Sequence, residues 1–427
     1  MRNITILLLI ICFIISIMLC CPLAAQKLVI PMDLNQTDHL KAYGIAYEAL
    51  EKGMTVEWLL NYRCGSFMMD YSSEVVRVCR IRGVKTEQIS GAKAAEIYAA
   101  IENENMELVL LETAPKVAVY APPPPSAEPW DDAVRLALEY AQIPYDRIYD
   151  EEVLAGGLYQ YDWLHLHHED FTGQYGKFYA VYRNADWYIK QQAEQEARAK
   201  KLSFDKVSKL KLAVAATIKE YVHQGGFLFA MCSATDSYDI ALSAFKTDIC
   251  AAVFDGDPIA PDFQGDLDYS QCFAFEDFTL ITDPLVYEFS DIDTTPRTGR
   301  SARGDAGDYF TLFDFSAKYD PVPTMLVQCH TSVVKGFMGQ TTGFKKSLVK
   351  KSVVILGEVE GADEVKYLHG NYGDGTFTFF GGHDPEDYRH MIGDPPTQLS
   401  LHKNSPGYRL ILNNVLFPAA KEKKLKT

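Results

Sequence analysis

The chain has 427 residues, with 41 Lys+Arg against 57 Asp+Glu and a formal net charge of −16. A surface of that sign opposes nucleic-acid binding, which needs basic residues to meet phosphate, and mainly favours solubility. Almost half of the residues are hydrophobic, so the chain can bury cores for two or three packed units.

Residues 1–25 read as a secretory signal peptide. Arg2 forms the charged start, Ile4 to Leu19 is apolar apart from Thr5 and Ser16, and Leu23-Ala24-Ala25 supplies small residues for cleavage before Gln26. The protein is therefore expected to be exported, periplasmic or extracellular, with no stable membrane span once the leader is gone. A retained anchor is the rival reading. Cys12, Cys20 and Cys21 leave with the leader, and six cysteines remain. None has C-x-x-C spacing; Cys250 and Cys272 flank an acidic loop and form a candidate disulfide.

Lys27 to Met32 predicts a strand, Thr37-Asp38 caps a helix over 39–52, and Thr55 to Asn61 predicts a second strand. Together they suggest a β-α-β unit with parallel strands. Residues 26–114 form an N-terminal α/β segment. After the strand Lys116 to Tyr120, the proline run 121–129 reads as a linker or a long strand-to-helix loop. Helix 130–142, strand 146–149 and strand 162–167 follow. Residues 171–202 read as an insertion containing a charged helix, 183–201. Helix 205–223 ends at Gly225-Gly226, and Phe227 to Met231 is fully apolar, as in a parallel-sheet core. Cys232 then leads into another helix. Residues 255–350 read as a second insertion, with an acidic loop over 255–268 and a Gly/Arg loop over 295–305. Strands 352–356 and 376–380 and a helix over 406–417 complete the chain.

Three places carry chemistry. At Ala230-Met231-Cys232-Ser233-Ala234 a buried strand meets a small-residue turn and a helix. That is the layout of a nucleophile elbow, where helix amides can hold an oxyanion and favour a thiolate. The plain alternative is a buried core cysteine. At Gly381-Gly382-His383-Asp384-Pro385-Glu386, a His on a glycine loop at a strand end can act as a general base, with Glu386 or Asp384 orienting it; the alternative is a turn with a helix cap. At His165-Leu166-His167-His168-Glu169-Asp170, strand alternation puts His165 and His167 on one face, and with Glu169 they could bind a divalent metal. The alternative is a polar pocket wall. The acidic loop Asp255 to Asp268 lacks EF-hand spacing and reads as solvated.

Helix, Gly-Gly, apolar strand, Cys elbow and a later strand ending in His-Asp-Pro-Glu resemble the class I glutamine amidotransferase-like superfamily, over about residues 115–417. That resemblance implies a flavodoxin-like, doubly wound, mainly parallel sheet with an N-terminal α/β extension. It also implies Cys232 as nucleophile, His383 as base and Glu386 as orienting acid. The superfamily elbow is Gly-x-Cys-x-Gly, whereas here Ala230 and Ala234 stand at both glycines; its His-x-Glu spacing is also one residue longer here. His39 to Gly44, Trp58 to Arg63 and Met231 to Ser237 further resemble exported proteins labelled "asparagine synthetase B". Gln26 is not the N-terminal Cys of that synthetase, and Ser233 to Ser237 lacks the glycines of its ATP loop, so ATP-dependent synthesis is not expected. The leading expectation is a Cys-dependent hydrolase or amidase acting on an amide or ester, without a cofactor. The alternatives are a non-catalytic protein binding a small molecule, sugar or peptide, and a metal-dependent hydrolase at His165, His167 and Glu169.

Overall fold

A computed structural model describes residues 26–123, 130–294, 307–320, 322–328, 331–389 and 391–420. The signal peptide, most of the proline run, the Gly/Arg loop and Cys329 lie outside the described residues.

The N-terminal segment is a five-stranded sheet in the order β4-β1-β3-β2-β5, from β1 (Lys27–Ile30), β2 (Val56–Leu60), β3 (Ser66–Asp70), β4 (Glu87–Ile89) and β5 (Glu107–Leu111). Every pairing in it is antiparallel. The expected β-α-β unit is therefore only half present: β1 and β2 run the same way, but β3 lies between them. The sequence signal for a crossover could not reveal that the next strand, SFMMD, inserts there. Helix α1 (His39–Glu51) starts at the predicted cap, where Asp38 accepts a bond from the Lys41 N–H. Helices α2 (Ser73–Arg82) and α3 (Gly91–Asn103) follow. α3 covers one face of the sheet through Ala94, Ile97 and Ile101, packed on Val29, Leu59 and Met68.

The second sheet has ten strands, nine of them in the order β11-β10-β13-β14-β15-β9-β8-β6-β7, with β12 beside β14. Its parallel part comprises β6 (Val117–Tyr120), β7 (Asp146–Ile148), β8 (Trp163–Leu166), β9 (Phe227–Met231) and β15 (Gly375–Phe380). β10 (Tyr309–Leu312), β11 (Val333–Lys335), β12 (Phe344–Lys345), β13 (Val354–Glu358) and β14 (Glu364–Tyr372) are antiparallel additions. Three of these, β10 to β12, come from the stretch read as an insertion, which thus extends the sheet.

Both faces of the parallel part are covered. Helices α4 (Ala133–Ala141) and α8 (Pro406–Leu416) lie on the face that includes Phe229 and Met231. Helices α6 (Val207–His223) and α7 (Ser233–Ser243) lie on the face of Leu228 and Ala230. All five residues of β9 are buried, and each large side chain among them contributes about 1.5–3 kcal/mol. α5 (Asp186–Lys201) is the charged helix expected in the first insertion.

The two sheets share one core. Leu28, Trp58 and Phe67 of the first sheet join α1, α4 and α8 in a single apolar cluster. α1 approaches α4 so closely that a Cβ on Gly44 would sit 1.7 Å from the Ala141 carbonyl oxygen. The chain end returns to the first sheet, where the Glu112 N–H donates to the Ala419 carbonyl at 3.1 Å. The protein is thus a mixed α/β structure in which the N-terminal segment is fused to the larger sheet.

Candidate functional site

The C-terminal ends of β6, β8, β9 and β15 lie side by side, and each delivers a functional side chain. In open α/β sheets this edge is where ligands bind.

β9 runs straight into Cys232. Its backbone, at φ 53° and ψ −139°, is in a region that favours glycine, and α7 begins at the next residue. Such a conformation costs about 1–3 kcal/mol and persists only where the surroundings enforce it. Here the enforcement is visible: the Ala234 N–H donates to the His167 carbonyl at 3.1 Å. The Thr235 hydroxyl donates to the Cys232 carbonyl at 2.7 Å. Ala230 and Ala234 are both fully buried, so the alanines at the elbow's glycine positions are accommodated within the packed core. The Gln340 N–H donates to Cys232 Sγ at 3.2 Å, and the N-terminus of α7 brings its positive dipole end to the thiol.

β15 ends at Phe380, and Gly381-Gly382 turns the chain. Gly382 has φ 95°, and a Cβ there would meet the Phe337 ring at 2.4 Å, so this turn needs glycine. It places His383 beside Cys232 on the wall of one cavity, where the thiol acts on the imidazole electrostatically. Its Nε2 lies 3.4 Å from Asp131 Oδ1. Burial opposes the imidazolium, but Asp131 and Cys232 together outweigh it and raise His383 to about 9.

Glu386 and Asp384, expected to orient His383, face elsewhere. Glu386 Oε2 pairs with His402 Nδ1 at 3.0 Å. Asp384 is fully buried and accepts from the Tyr408 hydroxyl at 2.8 Å and from the Glu386 N–H. The carboxylate at His383 is Asp131. The sequence reading missed it because it sits just past the proline run. A usable signal existed: Asp131-Asp132 follows β6, whose end reaches the same sheet edge, and opens a helix.

Asp132 is the N-cap of α4, accepting from the Val134 and Arg135 N–H groups. β8 points His165 and His167 to the same side, as alternation requires, and both meet Asp132 Oδ1, at 3.3 and 3.1 Å. Burial opposes Asp132's charge, but the two imidazoles hold its carboxyl well below the usual range. Burial pushes His167 down to about 4. Glu169 does not join them. It turns to the other side and pairs with buried Lys211 at 3.4 Å, in a cluster with Asp150, Tyr120 and Tyr149. Burial raises its carboxyl despite Lys211. His168 stacks on His167 with ring centroids 3.9 Å apart.

Cys232, His383 and Gln340 open onto a cavity of about 470 Å³ whose walls include Trp130, Phe178, Tyr287 and Met391. A smaller cavity of about 240 Å³, bordered by Trp187, Gln191 and Arg198, shares Trp130, His168 and Phe178 with it.

Cys250 and Cys272 are not paired with each other. Each is a buried free thiol, donating to the carbonyls of Thr172 and Asp239 respectively. In the acidic loop, Asp255 and Asp257 share Lys206 with Asp248 as an ion-pair partner, at 2.7–2.9 Å. Among the described residues, no helix is long and apolar enough to cross a membrane.

No family model matches the chain and no curated protein matches it. Among solved structures it is similar to two cytoplasmic proteins from Salmonella typhimurium. Their identities are 12% and 13%, with 72% of this chain covered in both cases, 99% and 100% of theirs, and TM-scores of 0.34 and 0.35. It is also similar to a catalytic mutant of a GH42 beta-galactosidase from G. stearothermophilus, at 12% identity over 63% of this chain and 27% of that one, with a TM-score of 0.25. Likenesses at these scores carry no argument about activity.

Proposed function

We propose that this chain is an exported Cys-dependent hydrolase or amidase, built on a flavodoxin-like sheet of the class I glutamine amidotransferase-like kind. The order of the parallel strands, β7-β6-β8-β9-β15, is 2-1-3-4-5 in chain order and supports that fold assignment. The observation that carries the function is the strained backbone of Cys232 beside His383. Strain of this kind, at a strand-to-helix turn, lifts a side chain out of the sheet edge towards a substrate.

In this reading the Cys232 thiolate attacks an amide or ester carbonyl carbon. The C–S bond forms, the bond to the leaving nitrogen or oxygen breaks, and the leaving group takes a proton from His383. Water, deprotonated by His383, then attacks the thioester, releasing the acid and restoring the thiol. Asp131 orients the imidazole. The Gln340 N–H, beside Cys232 Sγ, and the Ser233 N–H at the start of α7 are the donors offered to the developing oxyanion, since the next two α7 amides bond the His167 and Cys232 carbonyls. The aromatic and apolar cavity walls favour a substrate with an apolar group over glutamine itself.

The test is alkylation of the mature protein by an iodoacetamide probe, with the modified sites mapped. Cys232 is expected to react at least about tenfold faster than the other described thiols. Burial pushes Cys79 up to about 12 and raises Cys250 and Cys272 well above the usual thiol value. The advantage is expected to vanish in His383→Ala. A Cys232 that reacts no faster than its buried counterparts overturns the proposal.

A further inference from the structure

The cluster formed by Asp132, His165 and His167 is not used by the thiol chemistry, and its hydrogen-bonding is incomplete. His165 is fully buried, His167 is 2% exposed and Asp132 6%. His165 Nδ1 lies 3.0 Å from the Phe229 carbonyl oxygen. A carbonyl can only accept, so Nδ1 carries a ring proton, and Nε2 is the nitrogen left for another partner. It lies 3.3 Å from Asp132 Oδ1. His167 Nδ1 faces the same oxygen at 3.1 Å. Neither contact has the direction of a hydrogen bond, and among the described residues His167 Nε2 has no partner either. Buried polar atoms left this way are destabilising, and a bound cation satisfies several of them at once.

The spacing fits a cation. Ligand atoms about 2.0–2.1 Å from a tetrahedral zinc lie about 3.3 Å from each other. The rings of His165 and His167 meet at 66°, so their planes intersect, and the ligand atoms of Asp132, His165 and His167 all lie within 4.8 Å of one another. The neighbouring trio His167, His168 and His383 also brings its ligand atoms close together. There, however, the His167 and His168 rings stack at 12°, and nearly parallel planes cannot share an ion lying in both.

We infer that Asp132, His165 and His167 hold a divalent transition-metal cation, zinc or one of similar preference, at the end of β8. Two imidazoles and one carboxylate are the donors of such ions and not of calcium or magnesium, which take oxygen shells. The site is prearranged: the α4 cap fixes Asp132, and the Phe229 carbonyl fixes His165, as outer partners do around metal ligands. Through the His167 carbonyl, bonded to the Ala234 N–H, the ion would tie β8 and α4 to the Cys232 elbow. The inference does not depend on Cys232 being a nucleophile.

The experiment uses the full mature chain stripped with a chelator, then titrated with Zn²⁺ against a chromophoric competitor, with Co²⁺ absorption as a second readout. One Zn²⁺ per chain is expected, with Tm rising by about 5 °C at saturation. Asp132→Asn keeps a capping oxygen for α4 but loses the charge, and is expected to weaken binding at least about 100-fold, as is His167→Ala. Glu169→Gln and Cys232→Ser are expected to bind like the parent. A stripped parent protein that takes up no Zn²⁺, or an Asp132→Asn protein that binds it undiminished, overturns the inference. Loss of binding in Glu169→Gln or Cys232→Ser overturns the ligand set.

Discussion

Strands β9 and β15 run between two cavities, and the two ends differ in chemistry more than in residue type. At their C-terminal ends lies the cavity of about 470 Å³ with Cys232 and His383. At their starts lies a larger one, about 760 Å³, bordered by Phe227, Phe417 and His369. Each end has a buried histidine, at 6% and 3% exposure. Burial disfavours the imidazolium in both. His383 is nevertheless raised to about 9, because Asp131 and Cys232 favour its charged form. His369 has the Thr378 hydroxyl at 3.0 Å, and burial takes it down to about 3. Cavity size therefore does not mark the chemical end; the charged neighbours do.

The contrast breaks most visibly under acid. A His whose folded value is depressed contributes stability that is complete above the unfolded value of about 6.5 and is lost as pH falls towards 3. For His369 the loss by pH 5 is about 2 kcal/mol. His369→Phe fills the same space without a proton site. Urea titrations at pH 8 and pH 5 should show the variant losing about 2 kcal/mol less than the parent between them. Equal losses would mean that His369 is solvated and that the larger cavity has a polar end after all.

The next effect concerns the carboxylate at His383. Asp131→Asn keeps the shape but removes the charge that holds the imidazolium, so alkylation of Cys232 at neutral pH is expected to slow about tenfold, or about 1.4 kcal/mol. Glu386→Gln is expected to leave it within about twofold, because Glu386 serves His402. The reverse pattern would restore the assignment suggested by the resemblance and remove Asp131 from the site.

That reversal shows where the sequence was legible. Patterns confined to one element read well. The apolar run of β9, the cap at Asp38, the Gly-Gly turn before His383 and the alternation of His165 and His167 each depend on neighbours a few residues away. Partners brought together by the sheet did not read. Asp131 reaches His383 from the loop after β6, a separation of more than 250 residues. Glu169, two residues beyond His167, is turned away by the chain's exit from the strand and captured by Lys211 of α6. β3 slipped between β1 and β2 for the same reason: strand order is set by long-range pairing, which leaves no periodic mark on the strands themselves. β14 was missed because both of its faces are largely buried and its run, EVKYLHGNY, mixes charged and apolar residues; Lys366 is satisfied there by the carbonyls of Phe337 and Thr342.

The smallest effect tests the elbow itself. If Cys232 is held at φ 53° for chemistry and not for packing, the protein carries the cost in its folded state. Cys232→Gly removes the Cβ that makes this conformation unfavourable, and it also removes the thiol that the Gln340 N–H meets. Cys232→Ala loses the same bond but keeps the Cβ, so the comparison of the two variants isolates the relief of about 1–3 kcal/mol, reduced by about 0.5–1 kcal/mol for glycine's extra unfolded-state entropy. Cys232→Gly should therefore be more stable than Cys232→Ala by about 1 kcal/mol, read as a higher urea midpoint with an unchanged slope. If both variants lose stability alike, the thiol is a packing group, and the elbow is no different in kind from the well-satisfied strand starts at the far end of the sheet.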